Sequence, residues 1–146
     1  MRKTALTVLV LIVLMGAGFA SVRLRKAPSF KPHTIVYKVV NYDEAGNIIR
    51  TDTLVRQVFA DGRWNHTQVQ QDGTVHHTKG QLTGPATAQT TDANSPTHLN
   101  HKYVEEPGPY SRAWASPDLQ DFIMFTALWE NGSKRVVMEA VNITTP

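Results

Sequence analysis

The sequence predicts an all-β protein, an antiparallel β-meander that forms a curved sheet or half-barrel of six or more strands, preceded by an N-terminal signal or anchor helix. Three observations predict this fold. Turn motifs that contain glycine recur at short intervals, apolar and β-branched residues fill the segments between them, and the turns place compatible side chains opposite each other on neighbouring strands.

The first half of the predicted domain depends on three turns. Gly46 suits the left-handed position of a three-residue hairpin loop, which costs glycine nothing. Asp61-Gly62 and Asp72-Gly73 suit two-residue hairpin turns, in which both central residues need positive φ. These turns divide the chain into four predicted strands, at residues 34–42, 48–59, 63–71 and 74–79.

The turns also predict a register, and with it a core face. The expected cross-strand pairs are Tyr42 with Ile48, Lys38 with Asp52, Phe59 with Trp64 and Leu54 with Val69. Because a slip of one residue exchanges the two faces of a strand, the register decides which side chains are buried. We expect the face without charges to form the core: Ile35, Tyr37, Val39, Ile49, Val55 and Phe59.

Residues 80–112 are broken up by proline and rich in polar residues. They predict a loop-rich connection, which either covers the sheet or is a mobile polar loop. After it, Asn131-Gly132 predicts a hairpin that joins residues 119–129 to residues 134–143. In that register, Phe125 lies opposite Met138 and Ala127 lies opposite Val136.

The first arm of this hairpin has a second interpretation. Ser116-Pro117-Asp118 is also a good helix start, with a serine cap and an early proline and acid, and Asn131-Gly132 would then end the helix. We favour the strand. On strands, Asp118, Asp121 and Glu130 are expected to mark a solvated edge rather than an acid–base pair.

The N-terminus has the features of an export signal. Residues 1–22 combine a basic start, an apolar centre and small residues near Ala20, which is typical of a secretory signal peptide. Residues 4–22 are also long enough to span a membrane as an uncleaved anchor, so both readings stay open. We expect residues 23–33 to be a linker, residues 34–146 to be a single β-rich domain, and that domain to be periplasmic or extracellular.

Composition excludes several functions. The chain has no cysteine, so zinc–thiolate sites, iron–sulfur clusters and cysteine nucleophiles are ruled out. Its net charge of +3 comes from the N-terminal region, because from Pro32 onward there are nine basic and twelve acidic residues. A basic face for nucleic acid is therefore not expected. We find no complete catalytic motif and predict neither an enzyme nor a cofactor.

One resemblance covers about thirty residues near the C-terminus. Trp114, the run from Ser116 to Leu119, and the Asn131-Gly132 turn occur in an order similar to the C-terminal hairpin of small exported bacterial β-rich proteins of unassigned function. Those proteins look distantly like the curved sheets of lipoprotein carriers. The resemblance implies a strand at residues 119–129, and it implies no activity.

These observations predict a non-enzymatic binding or structural module of the cell envelope. One alternative is a carrier that holds an apolar ligand in the cavity of a curved sheet, with residues 80–112 as a flap. The residues expected to line that cavity are Tyr37, Phe59, Phe125 and Trp129. A second alternative is weak metal binding by His66 and His77, because the Asp72-Gly73 turn would place them diagonally on one face.

Overall fold

The computed structural model describes residues 29–146, and this part of the chain is all-β, without a helix. None of these residues forms a helix with the length and hydrophobicity needed to cross a membrane. The signal or anchor predicted for residues 1–22, and most of the predicted linker, lie outside the described residues.

One antiparallel sheet of eight strands makes up most of the domain. Its strands are β1 (His33–Tyr42), β2 (Ile48–Val58), β3 (Arg63–Val69), β4 (Val75–Gln81), β7 (Val104–Pro107), β8 (Ser111–Ser116), β9 (Asp121–Leu128) and β10 (Lys134–Thr144), with β5 (Thr97–His98) and β6 (His101–Lys102) as a separate ribbon. The strand order is β4-β3-β2-β1-β10-β9-β8-β7, so the sheet consists of two meanders joined where β1 pairs with β10, the first and last strands of the described residues.

The hairpin turns share one geometry, which corrects the two-residue turns predicted above. After β2, the N–H of Phe59 donates to the carbonyl of Arg63 and the N–H of Gly62 donates back to Phe59, both at 2.9 Å. The loop therefore has three residues, and only Gly62, at φ 85°, is left-handed. Asp61 instead accepts a hydrogen bond from the N–H of Arg63 at 3.0 Å, which holds the turn in this form. The turns ending at Gly46, Gly73 and Gly132 repeat the pattern.

The longer loop shifts the predicted register by one residue. Val58, rather than Phe59, lies opposite Trp64. In the first hairpin the Tyr42–Ile48 pair is confirmed, but Ile49 is an extra, bulged residue of β2. The structure accordingly pairs Lys38 with Thr53 and Val39 with Asp52, so the predicted Lys38–Asp52 pair is wrong, as is Leu54 with Val69.

The core lies on one face of the sheet. Ile35, Tyr37 and Val39 of β1 are buried there, as predicted. The prediction is wrong for β2, because the bulge at Ile49 exchanges the faces of the strand: Ile49 is 63% exposed. The β2 residues on the core side are Asp52, Leu54, Arg56 and Val58.

The last hairpin is a pair of strands, so the helix interpretation of residues 119–129 is wrong. Phe125 faces Met138 and Ala127 faces Val136, as predicted. The predicted register is correct because two errors cancel. The turn has three residues instead of the predicted two, which shifts the pairing by one residue, and the bulge at Arg135 in β10 shifts it back.

Part of the segment predicted as a loop-rich connection lies against the core face, which agrees with its interpretation as a cover. Tyr103 packs against the core and Thr87 is buried. His98 donates from Nε2 to the carbonyl of Ala140 at 2.7 Å. The prediction missed β8, whose alternating small residues Ala113 and Ala115 are buried.

The antiparallel order gives the sheet two distinct ends. The tip end carries the turns at residues 43–47, 70–74, 107–111 and 129–133. The entry end carries residues 29–33, where the described chain begins, and the turns at 59–63 and 116–121. At the entry end Phe30 is buried and donates its N–H to Ala60 at 3.0 Å, so the predicted linker includes residues that pack into the domain.

Candidate functional site

The tip end contains a groove of about 880 Å³ between three neighbouring turns. It combines two aromatic side chains with charged and amide groups, a composition suited to holding a polar ligand against an aromatic surface. Its lining includes Glu44, Tyr110, Trp129, Glu130, Asn131 and Arg135.

Hydrogen bonds between turns hold the groove in shape. The Asn131 side-chain amide and the Ser133 hydroxyl both donate to the carbonyl of Glu44, each at 3.2 Å. The indole N–H of Trp129 donates to the carbonyl of Tyr42 at 3.3 Å. The turns at 43–47 and 129–133 are thus fastened together across β1 and β10, and the groove exists before any ligand arrives.

The side chains that face the groove differ in how far they are exposed to solvent. Trp129 is half-buried, and the guanidinium of Arg135 lies 4.8 Å from the centre of its ring. Arg135 reaches this position because it is the bulged residue of β10, and a bulge re-aims a side chain. Tyr110 is 64% exposed, and Glu44 and Glu130 are also exposed.

A second constellation, the Asp121 cluster, is buried on the core face near the entry end and consists of Asp121, His33, Arg56, His66 and Tyr37. One oxygen of Asp121 accepts from Nε of Arg56 at 2.6 Å and from Nε2 of His33 at 2.8 Å. Arg56 also donates from Nη1 to Nε2 of His66 at 2.8 Å. The side chains of His33 and Asp121 are only 1% and 2% exposed.

Partners set the protonation states in the Asp121 cluster. Burial opposes ionisation of Asp121, but hydrogen bonds and charge from His33 and Arg56 outweigh it and hold the pKa of the carboxyl below its usual value. Nδ1 of His33 donates to the carbonyl of Lys31 at 2.7 Å, so both ring nitrogens of His33 face acceptors. His33 therefore acts together with Arg56 in holding the Asp121 carboxyl in its ionised form.

The other two members of the cluster are held neutral. Burial, followed by the charge of Arg56, lowers the pKa of His66, and its Nε2 accepts from Arg56 as a neutral imidazole must. Burial, followed by the charge of Asp121, raises the pKa of Tyr37 well above its usual value. The Tyr37 hydroxyl donates to the carbonyl of Phe122. The centre of the cluster, Asp121 and His33, is closed to solvent, whereas His66 at its margin is half-buried.

Asp52 is a further buried carboxylate on the core face, at 2% exposure. It accepts from Nε of Arg50 at 2.8 Å, from the Gln68 amide at 3.1 Å and from the N–H of Gln71 at 3.2 Å. Burial opposes its ionisation, but these donors outweigh burial and lower the pKa of Asp52. The bulge at Ile49 turns Asp52 to the core face, and these donors stabilise its carboxylate there in the ionised form.

The four residues predicted to line a ligand cavity lie in different places. Tyr37 is in the core, and Phe59 is at the entry end beneath the guanidinium of Arg63, 5.2 Å from its ring centre. Phe125 is half-buried within β9. Trp129 alone among the four lines the groove at the tip end. The fold does not bring the four together around one cavity.

The register also changes the geometry behind the metal prediction. His66 lies opposite Thr78 and His77 lies opposite Thr67, so alternation along the strands puts the two imidazoles on opposite faces. The diagonal pair on which the prediction depended is not formed. Among residues 29–146, no group of three or more histidine, aspartate or glutamate side chains could hold a metal ion.

Sequence reasoning missed the residues that make the groove and the Asp121 cluster. Asp121 was expected on a solvated edge and is instead buried. Its partner His33 lies 88 residues away in the chain, which leaves no local signal. Tyr110 and Arg135 carry no motif either. The one available signal was the Asn131-Gly132 turn, which marks the wall of the groove.

No known protein family matches the sequence, and no curated protein is similar to it. Among solved structures, the chain is similar to one described as the crystal structure of MucB, with a TM-score of 0.47 and 13% sequence identity. The match covers 90% of this chain and 59% of that chain, so this chain spans less than two thirds of its length. A similarity at this level carries no argument about function.

Proposed function

We propose that this protein is an exported, non-enzymatic binding module of the cell envelope, and that its ligand occupies the groove at the tip end. The observation that carries the proposal is the preformed groove itself: about 880 Å³ of space beside Trp129, fixed by hydrogen bonds between turns. This volume lies within the roughly 300–1,000 Å³ typical of ligand pockets. The export signal predicted for residues 1–22 supports the location.

The burial of the Asp121 cluster favours a binding function over a catalytic one. The Asp121 cluster contains the acid, base and hydroxyl groups that a reaction would need, but the side chains of Asp121 and His33 are almost fully covered. A substrate cannot reach them without opening the entry end. The groove, by contrast, presents exposed side chains on a framework of paired strands, which is the usual arrangement for recognition.

Site-specific crosslinking in the native host tests the proposal. A photoreactive phenylalanine analogue would replace Tyr110, which is 64% exposed in the groove, and a matched control would replace Val141, which is 52% exposed on β10 outside it. We expect a discrete product from position 110, lost on Trp129→Ala, and none from position 141. Identical products at both positions would contradict the proposal.

Export is tested separately by cell fractionation. We expect the protein outside the cytoplasm, either as a shortened chain released by carbonate or as a full-length chain kept in the membrane. These two results correspond to the cleaved signal and to the anchor through residues 4–22. A full-length chain in the cytosol would contradict the envelope assignment.

A second candidate is the carrier of an apolar ligand in a curved sheet or half-barrel, and the cover over the core favours it. Residues 82–103 lie on the apolar face and are joined to β10 by the bond from His98 to Ala140. If this cover opens, Ile35 and Ile123 would line an apolar site. We expect His98→Ala to increase the fluorescence of a bound apolar dye, with His76→Ala on exposed β4 as control. An unchanged signal, without copurified lipid by mass spectrometry, would exclude the carrier.

A further inference from the structure

We propose that the ligand of the groove is a basic peptide segment, whose arginine or lysine side chains bind between the two aromatic residues and the two carboxylates. This inference rests on the proposed function and adds the chemical class of the ligand. Its starting point is Arg135, whose guanidinium lies over the face of Trp129 at 4.8 Å. The protein's own cation thus shows that this face of the groove accepts a guanidinium.

The rim of the groove supplies charge for a further cation. Within the described residues, neither Glu44 nor Glu130 forms a salt bridge, so their carboxylates have no counter-ion from the protein. Tyr110, 64% exposed, offers a second aromatic face, and no cationic or aromatic side chain among residues 29–146 stacks on it. Carboxylates beside the open face of Tyr110 can bind an ammonium or guanidinium by charge and by cation–π attraction together, as Trp129 already holds the guanidinium of Arg135.

The wider charge distribution agrees with a basic partner. From Pro32 onward the chain has nine basic and twelve acidic residues. Glu105 and Glu106 lie on β7, the edge strand that leads into the turn bearing Tyr110. The net charge of the domain therefore attracts a peptide with several cationic side chains, which speeds association at low salt.

A peptide also fits the size of the groove better than a single small cation. One guanidinium fills little of about 880 Å³, whereas a short segment can place one side chain between the carboxylates and extend along the wall formed by Leu128. The bond from the N–H of Leu128 to the carbonyl of Tyr110, at 2.8 Å, fixes the distance across that wall. We accordingly expect affinity to rise with the number of arginines.

The test titrates the protein with a blocked peptide of alternating arginine and glycine. Binding is measured by calorimetry and by the shift of the indole N–H signal of Trp129 in heteronuclear NMR. We expect the double variant Glu44→Gln/Glu130→Gln to weaken binding at least tenfold. The matched control, Glu105→Gln/Glu106→Gln, removes the same charge outside the groove and should weaken binding less than threefold. Raising the salt concentration should weaken peptide binding by the native protein more than peptide binding by the groove variant.

The outcomes separate this inference from the proposed function. If a glutamate–glycine peptide or an N-acetylglucosamine oligomer shifts the Trp129 signal and the arginine peptide does not, the groove binds ligand but the basic-peptide inference is wrong. Equal affinity of native protein and groove variant for the arginine peptide also overturns it. If none of the three probes shifts the Trp129 signal, both the inference and the proposed groove function fail.

Discussion

Replacing Asp121 with asparagine removes the negative charge from the centre of the Asp121 cluster while keeping the size of the side chain. Arg56 and His33 would then be left buried without their counter-charge, since both now donate to the same oxygen, at 2.6 and 2.8 Å. The amide of asparagine also presents a donor where the carboxylate presented an acceptor. We therefore expect Asp121→Asn to be among the most damaging single substitutions of similar size in this domain.

The expected magnitude follows from burial. Removing one partner of a buried ion pair costs about 3–5 kcal/mol, because the remaining charge stays in the interior uncompensated. Asp121 is 2% exposed, so solvent offers little compensation. A domain of this size has about 5–15 kcal/mol of total stability. At roughly 4 °C for each kcal/mol, the midpoint of thermal unfolding should fall by about 12–20 °C.

The neighbouring residue Asp118 provides a matched control. It forms an ion pair with Lys31 at 3.1 Å, but its side chain is 63% exposed, and exposed pairs contribute at most about 1 kcal/mol. Urea unfolding followed by circular dichroism would compare Asp121→Asn with Asp118→Asn. A difference below about 1 kcal/mol between them would refute the reasoning. Adding Arg56→Met to Asp121→Asn should recover part of the loss, since it removes the stranded charge.

Three further predictions follow from the same structure. The pKa of His66 is lowered from 6.5 and that of Asp121 from 3.8, so the unfolded chain binds both protons more tightly. The stability that these two groups contribute should therefore be present above pH 6.5, fall as pH drops through the titration of His66, and fall again below pH 3.8; His66→Gln should remove the first step in urea midpoints. Gly62→Ala should lower the free energy of unfolding clearly more than Gly73→Ala. Both positions have φ near 90°, but an added Cβ at Gly62 would lie 2.6 Å from the buried ring of Phe30, whereas one at Gly73 meets open space; chemical denaturation of the two variants checks this. Zinc calorimetry should give no heat at millimolar metal, because His66 and His77 face opposite sides of the sheet; a strong signal lost in both single alanine variants would show otherwise.

The turns illustrate what local sequence can predict. Every predicted glycine turn is present, because an aspartate or asparagine in the turn and a left-handed glycine at its end stabilise a reversal through contacts within five residues. The three-residue loop ending at Gly46 was predicted correctly, but the loops ending at Gly62, Gly73 and Gly132 were predicted one residue too short, since a two-residue and a three-residue turn use the same residues. That single residue decided the partner of Trp64, which is Val58 and not Phe59.

The candidate site was harder to predict than the strands. Trp129 was predicted to line an apolar cavity within the curved sheet, and it lies instead in the polar groove at the tip end. The groove itself forms where three turns from distant parts of the chain meet at one end of the sheet. Arg135 contributes because a bulge turns it toward Trp129, and a bulge leaves no pattern in the sequence.

By itself, the sequence determined the fold class, the positions of the hairpins and the strand character of residues 119–129, because these depend on turn chemistry and on residues close in the chain. Only the tertiary structure decided which face of β2 is buried, that β1 pairs with β10, and that Asp121 meets His33 and Arg56. A bulge moves every later side chain of its strand to the other face. A buried charge can be tolerated only where distant strands supply its partners, and no local pattern records either event.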